Sequence, residues 1–259
     1  MSEAENPVAI ITGASSGIGR TTAIHFAKNN YRLSLSGRND EALTQVIKDC
    51  IEAGDLRKDD VIATVGDLRE ENIVKDLIRH TMDTFARIDT LVNNAGILTV
   101  GSVIDTPITE YDRQFDVNVR SVIQLTKLAI PHIVATRGTI VNVSSMAGTC
   151  SFPNATFYYM SKAALDQFTK CLALELASKG VRVNSVNPGV ILTNIHKRSG
   201  MSEMEYEEFL KNQEQTHALG RVGYSHEVAE AIYFFASKQS SFSTGELLHV
   251  DGGRHLMIP

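Results

Sequence analysis

A tyrosine and a lysine stand four residues apart in Phe157-Tyr-Tyr-Met-Ser-Lys162, a spacing that puts Tyr158 and Lys162 on one face of a helix. A free phenol titrates near pH ~10 and moves protons poorly at neutrality, whereas a neighbouring ammonium favours the phenolate and is expected to lower that pKa. The pair therefore reads as a proton-transfer device, with Lys162 tuning Tyr158. Such a spacing arises easily by chance, so its weight depends on what stands upstream. There, Asn142-Val-Ser-Ser145 places a serine hydroxyl thirteen residues before the tyrosine, and Thr12-Gly-Ala-Ser-Ser-Gly-Ile-Gly19 supplies a glycine-rich turn.

In that turn Gly13, Gly17 and Gly19 follow an apolar run and open an amphipathic stretch. Glycines at such a junction let backbone N–H groups approach a pyrophosphate, while the helix N-terminus stabilises its charge. Gly13, Ser15, Ser16, Gly17, Ile18 and Gly19 are thus the expected phosphate cradle. The end of the second predicted strand distinguishes the two nicotinamide cofactors, because an acid there accepts hydrogen bonds from the adenosine ribose and repels a 2′-phosphate. Here it reads Ser34-Leu-Ser-Gly-Arg-Asn39, with no acid and with Arg38, whose planar fork suits a phosphate. NADP(H) is the expected cofactor.

These residues must be held by regular elements, and the hydrophobic pattern alternates short β-prone runs with longer amphipathic stretches. Predicted strands are Val8–Thr12, Arg32–Ser36, Val61–Val65, Thr90–Asn93, Thr139–Ser144, Val181–Asn187 and Glu246–Val250. Helices are predicted near Gly17–Asn30, Asp40–Ala53, Glu70–Phe85, Glu110–Ala135, Phe157–Ser178 and Glu227–Ser237. This order implies an α/β fold: a Rossmann-like, doubly wound parallel sheet of about seven strands with helices on both faces. Ligands of such sheets lie at the carboxyl ends of the strands, where most of the singled-out residues fall. No linker composition divides the 259 residues, so one domain is expected, with 194–219 as a charged interruption able to form short amphipathic helices.

A net charge of −5 without a basic stripe argues against nucleic acid as a partner. Eight histidines form no ligand-spaced cluster, so no metal is expected. Cys50, Cys150 and Cys171 make no C-x-x-C and are odd in number, which favours a reducing compartment; no run approaches the ~20 apolar residues of a membrane helix, and a cytoplasmic, membrane-free location is expected.

Taken in order, Thr12 to Gly19, Asp67-Leu68, Asn93-Asn-Ala-Gly96, Asn118, Ser145, Tyr158, Lys162 and Pro188-Gly189 resemble the motifs of the short-chain dehydrogenase/reductase family. The resemblance covers nearly the whole chain. It implies an NADP(H)-dependent oxidoreductase that interconverts a carbonyl and a secondary alcohol, with Tyr158 as general acid/base, Ser145 positioning the carbonyl oxygen and Lys162 also holding the nicotinamide ribose. It further implies that Asn118 anchors a water leading protons to the lysine, that Asp67 and Leu68 meet the adenine, that Asn93 closes on the adenosine, and that Ile191 and Thr193 meet the carboxamide. The family's basic residue before the second glycine of the turn is absent, since Ser16 stands there. A non-catalytic NADP(H)-binding sensor on the same fold is the alternative, although such proteins normally lose part of the Tyr/Lys/Ser set. Segment 194–219 is expected to cover the substrate, and Phe152, Phe157, Ile97 and Leu98 to line an apolar pocket with no charge plainly aimed into it. A homo-oligomer, tetramer or dimer, is expected because Glu110–Ala135 is apolar on more than one face.

Overall fold

The computed structural model describes residues 6–257. Its strands β1 (Val8–Thr12), β2 (Arg32–Gly37), β3 (Val61–Val65), β4 (Thr90–Asn93), β5 (Thr139–Val143), β6 (Arg182–Pro188) and β7 (Leu247–Val250) form one parallel sheet in the order β3-β2-β1-β4-β5-β6-β7. All seven agree with the predicted strands to within one residue at either end. The reason lies in burial: β1, β4 and β5 are covered on both faces, so they read as unbroken apolar or small-residue runs.

Helices α1 (Gly17–Lys28), α2 (Asp40–Gly54) and α9 (Ser225–Ala236) cover one face, and α3 (Glu71–Phe85), α5 (Ser121–Thr136) and α6 (Thr156–Ala177) the other. Strand alternation divides the core accordingly. Ala9 and Ile11 of β1 pack with Phe26, Val46 and Phe235, while Ile10 between them packs with Leu77, Leu125 and Leu172. Chain order reverses between β1 and β4, so their following crossovers leave to opposite faces and a crevice opens at their carboxyl ends.

Two stretches differ from expectation. The long helix predicted over Glu110–Ala135 is three pieces, α4 (Ile108–Phe115), a π-helical turn (Asp116–Arg120) and α5. The extra residue per turn places Asn118 inward, where its side chain is spent on tertiary hydrogen bonds that no local pattern announces. Segment 194–219 folds into α7 (Ile195–Arg198) and α8 (Glu203–Glu214), the latter started by a reciprocal cap between Ser202 and Glu205.

Candidate active site

A cavity of about 700 Å³ lies across the carboxyl ends of the central strands and receives most of the residues singled out in the sequence. Its two halves are stitched together at the crevice. The Thr12 hydroxyl accepts from the Asn94 and Ala95 N–H groups, each at 3.0 Å, and the Asn94 side-chain amide donates to the Thr12 carbonyl oxygen at 2.8 Å.

The glycine turn has the shape required of a pyrophosphate cradle. Gly13 has φ +64° and a side-chain carbon there would stand 2.9 Å from the Ala95 Cα; Gly17 has φ +55° and would press Thr193 at 3.1 Å. At Gly19 a side chain would collide with the Gly13 carbonyl oxygen. Ser15, Ser16, Gly17 and Ile18 line the cavity with Gly13, while Gly19 lies behind the turn, where it permits that close approach. Arg38 is exposed at the cavity rim, next to Gly37, whose added side chain would stand 3.2 Å from Ser15. Ser16, where no base stands in the sequence, is met from elsewhere: Arg198 of α7 donates to its hydroxyl at 3.0 Å. The residues present therefore fit a dinucleotide's phosphates.

Asp67 and Leu68 also line the cavity. Hydrogen bonds from Arg69 hold the Asp67 carboxyl below the usual range, with a smaller contribution from the Arg38 charge. Asn93 is placed otherwise than expected. Its side chain is buried in the sheet, donating to Asn142 Oδ1 at 2.9 Å and Thr126 Oγ1 at 3.1 Å, and its neighbour Asn94 lines the cavity instead. The period of two explains this, because adjacent residues at a strand end point to opposite sides. Ile191 and Thr193 line the cavity, fixed by a bridge from Ile191 to Gly223 and by the Tyr206 hydroxyl of α8, which donates to the Thr193 carbonyl at 2.8 Å.

At the other end Ser145, Tyr158 and Lys162 come together. Ser145 follows β5 and takes an N–H from Ala147 at 3.1 Å, while α6 presents Tyr158 and Lys162 to the same wall. Lys162 is 4% exposed and donates to the Val143 carbonyl oxygen at 3.0 Å, its ammonium 5.7 Å from the Tyr158 ring centroid. Burial pushes the Lys162 ammonium down to about 8, opposed by the charge of Asp166. Burial pushes the Tyr158 phenol up to about 12, and a hydrogen bond with Ser145 opposes it. Within the protein alone, desolvation of the phenolate outweighs the favourable influence expected of Lys162, whose ammonium is turned to the Val143 carbonyl. Asn118, 1% exposed, is not on the cavity wall. Its amide clamps Ile97, accepting from the N–H at 2.9 Å and donating to the carbonyl oxygen at 3.0 Å. A side chain at Gly96 would stand 3.4 Å from Asn118 Oδ1 and 3.6 Å from Lys162 Nζ, so both polar atoms border one small gap.

Phe152, Ile97 and Leu98 line the cavity as expected, whereas Phe157 packs on Tyr111 at 5.6 Å between ring centroids and is not on the wall. Three residues went unrecognised in the sequence. Arg198 and His196 come from α7, and Arg254 follows β7 through two left-handed glycines. For Arg254 a signal existed: Asp251-Gly-Gly-Arg254 follows the carboxyl end of a strand, where ligands of this architecture bind. Among the described residues no group of three His, Cys, Asp or Glu is arranged to hold a metal ion.

A family model described as enoyl-(acyl carrier protein) reductase matches residues 13–255. The 3-oxoacyl-[acyl-carrier-protein] reductase FabG of Thermotoga maritima is 35% identical over 250 residues, covering 96% of this chain and 98% of that protein. Among solved structures, a short-chain dehydrogenase/reductase of unknown function from Caenorhabditis elegans, with cofactor, aligns with a TM-score of 0.92 at 35% identity, covering 98% of this chain and 97% of that one. ElxO with NADP bound aligns with a TM-score of 0.86 at 30% identity, covering 96% and 98%.

His196 supplies a test of the site's electrostatics. Burial and, second, the Arg254 charge push its imidazole down to about 4 from 6.5. The unfolded chain therefore binds more protons between these values, so the stability this neutral histidine contributes is complete above pH ~6.5 and is lost as pH falls toward 4. His196→Asn is expected to show a smaller drop in melting temperature between pH 7.5 and 5.0 than the wild type. An equal drop in both proteins contradicts this placement.

Proposed function

The chain belongs to the short-chain dehydrogenase/reductase family, and we propose that it is an NADP(H)-dependent oxidoreductase interconverting a carbonyl and a secondary alcohol. The observation that carries this reading is the convergence of Ser145, Tyr158 and Lys162 on one wall of a cavity whose other end is a glycine cradle. Nothing of the catalytic set is missing, which disfavours a non-catalytic sensor.

Gly13, Ser15, Ser16, Gly17 and Ile18 hold the cofactor's phosphates, Asp67 and Leu68 its adenine end, and Ile191 and Thr193 its carboxamide. When bound, the cofactor supplies or accepts the hydride. The chain's own residues handle orientation and protons. Ser145 donates a hydrogen bond to the carbonyl oxygen and holds it beside Tyr158. Because burial keeps Tyr158 a neutral phenol at physiological pH, it is ready to give its proton to that oxygen during reduction. Lys162 has three N–H donors and gives one to Val143, which leaves two for the ribose hydroxyls and for returning a proton toward Tyr158. The gap bordered by Asn118 and Lys162 suits a relay water, and Gly96 keeps it open. Segment 194–219 covers the substrate, anchored by Tyr206 on Thr193.

The cofactor preference rests on two guanidinium groups, Arg38 at the end of β2 and Arg198 at Ser16, and on the absence of an acid between Ser34 and Asn39. That ElxO binds NADP in a similar fold supports it. A cytoplasmic location fits three free cysteines and the absence, among the described residues, of a helix long and apolar enough to cross a membrane.

Tyr158→Phe removes only the transferable proton, so turnover of an accepted ketone should fall on the order of 10²–10⁴-fold while cofactor binding persists. Near-native turnover in that variant, followed by absorbance of the reduced nicotinamide, refutes the assignment. Arg38→Ala should weaken NADPH by about 1.5–3 kcal/mol and spare NADH, and Arg198→Ala should act in the same direction. A wild type that prefers NADH, or equal effects on both cofactors by calorimetry, rejects the NADP reading. A homo-oligomer, tetramer or dimer, is proposed from Ile108, Leu128, Met160 and Leu174, which leave apolar surface exposed on α4, α5 and α6. Light scattering at micromolar concentration should exceed a monomer's mass, and a monomer there excludes it.

A further inference from the structure

The catalytic end of the cavity holds a cation that the carbonyl–alcohol reaction does not require. Two glycines with positive φ, Gly252 at 58° and Gly253 at 78°, turn the chain back after β7 so that Arg254 returns over the site. Its guanidinium carbon stands 4.9 Å from the centroid of Phe152, whose ring lies 6.3 Å from that of Tyr159, itself 6.3 Å from the ring of Tyr158. All four residues line the same cavity. Arg254 thus stands, through Phe152 and Tyr159, on the same stretch of wall as Tyr158.

The charge is not neutralised by the protein. Among the described residues no carboxylate lies within 4.0 Å of the guanidinium, and its buried Nε has no hydrogen-bond partner. The carboxylate whose charge reaches it, Asp251, is already engaged, accepting from the His255 N–H and ring at 2.8 Å each and from the Gly253 N–H at 3.1 Å. Arg254 is half-buried on the cavity wall with its Nε unpaired, so an anion in the cavity would meet a cation that no carboxylate among the described residues already neutralises. The surroundings suit an anion further. His196 on α7 lines the same wall, with its buried Nδ1 also lacking a partner, while Met201 and Phe209 supply apolar surface beyond.

We propose that the substrate is an oxo acid or hydroxy acid whose carboxylate is held by the Arg254 guanidinium while its carbonyl or hydroxyl lies between Ser145 and Tyr158. The planar fork matches a carboxylate through two parallel N–H donors, and the guanidinium is held over the Phe152 ring at 4.9 Å. This rests on the carbonyl–alcohol reading of the site and adds the charge that selects among carbonyl compounds. Arg254 is then a specificity-determining residue that touches the substrate away from the reacting carbon.

The test separates binding from turnover. Calorimetric titration of the full-length protein with butyrate and with butyramide should show the carboxylate binding at least ten times more tightly. Arg254→Gln should remove about 10- to 100-fold of butyrate affinity and leave butyramide unchanged, and Arg254→Lys should restore part of the loss. Equal binding of the two probes to the wild type overturns the proposal, and so does a Gln variant that keeps the preference. Should Arg254→Gln fail to fold, the wild-type contrast and the Lys variant still decide. In turnover, kcat/KM for 3-oxobutyrate should exceed that for its methyl ester, and the Gln substitution should lower the acid's value and spare the ester's. Butyrate binding through Arg254 without reduction of any oxo acid upholds the carboxylate site and counts against the reductase reading, whereas reduction of neutral ketones with no carboxylate preference does the reverse.

Discussion

The ammonium of Lys162 is almost wholly withdrawn from water and has a main-chain carbonyl, that of Val143, as its hydrogen-bond partner at 3.0 Å. Burying such a group costs several kcal/mol unless oxygens replace its hydration, so the backbone around it must be fixed in advance. β5 has to end at Val143 for that carbonyl to be free, and the next two residues then fall where Ser144 meets the Lys162 carbonyl and Ser145 meets Tyr158. Asp166, one helical turn beyond the lysine, is buried too. It accepts two contacts from the Asn187 amide, at 3.0 and 3.2 Å, which tie α6 to β6. Gly148 is required beside it, because a side chain there would collide with the Asp166 carboxylate.

The same constraint accounts for the π-helical turn. Asn118 clamps both main-chain groups of Ile97 and donates to Ser161 at 3.0 Å, so the loop after β4, the turn and α6 form one body around the lysine. The polar groups around Lys162 are paired with main chain and with one another, which leaves few alternative arrangements of comparable energy. Segment 194–219 is attached differently, through the Arg198–Ser16 contact, the Tyr206 hydroxyl on Thr193 and, near its end, His217, whose Nε2 accepts from the Val190 N–H at 3.3 Å.

Charge is distributed along the cleft in a way the net value of −5 conceals. Arg198 meets Ser16 of the glycine cradle, and Arg38, Lys162 and Arg254 line the same cavity, so four cations border it. Lys162 is buried and Arg254 half-buried, and their fields act through lower-dielectric surroundings more strongly than those of the exposed Arg38 and Arg198 do. His196 registers this field, since the Arg254 charge adds to burial in keeping its imidazole neutral.

The strands, their order of appearance and the ends at which chemistry occurs were legible in the sequence, because doubly buried parallel strands are continuous apolar runs and glycine turns mark where they stop. Tyr158, Lys162 and Ser145 were legible too, since the first two are fixed by one helical period and the third by the end of an adjacent strand. Tertiary structure alone decided matters that depend on distance through space. Asn93 faces Asn142 and Thr126 within the sheet while Asn94 takes the cavity, and Asn118 turns inward from a π-helical turn. The direction of the Tyr158 shift depended on how completely the phenol is desolvated and where the ammonium points, neither of which a spacing of four residues contains. Arg198 reaches Ser16 across 182 positions, and Arg254 reaches Phe152 only because two left-handed glycines reverse the chain. Local periodicity encodes which face a residue presents, but the groups that neutralise or expose a charge come from segments far apart in sequence, and only folding brings them together.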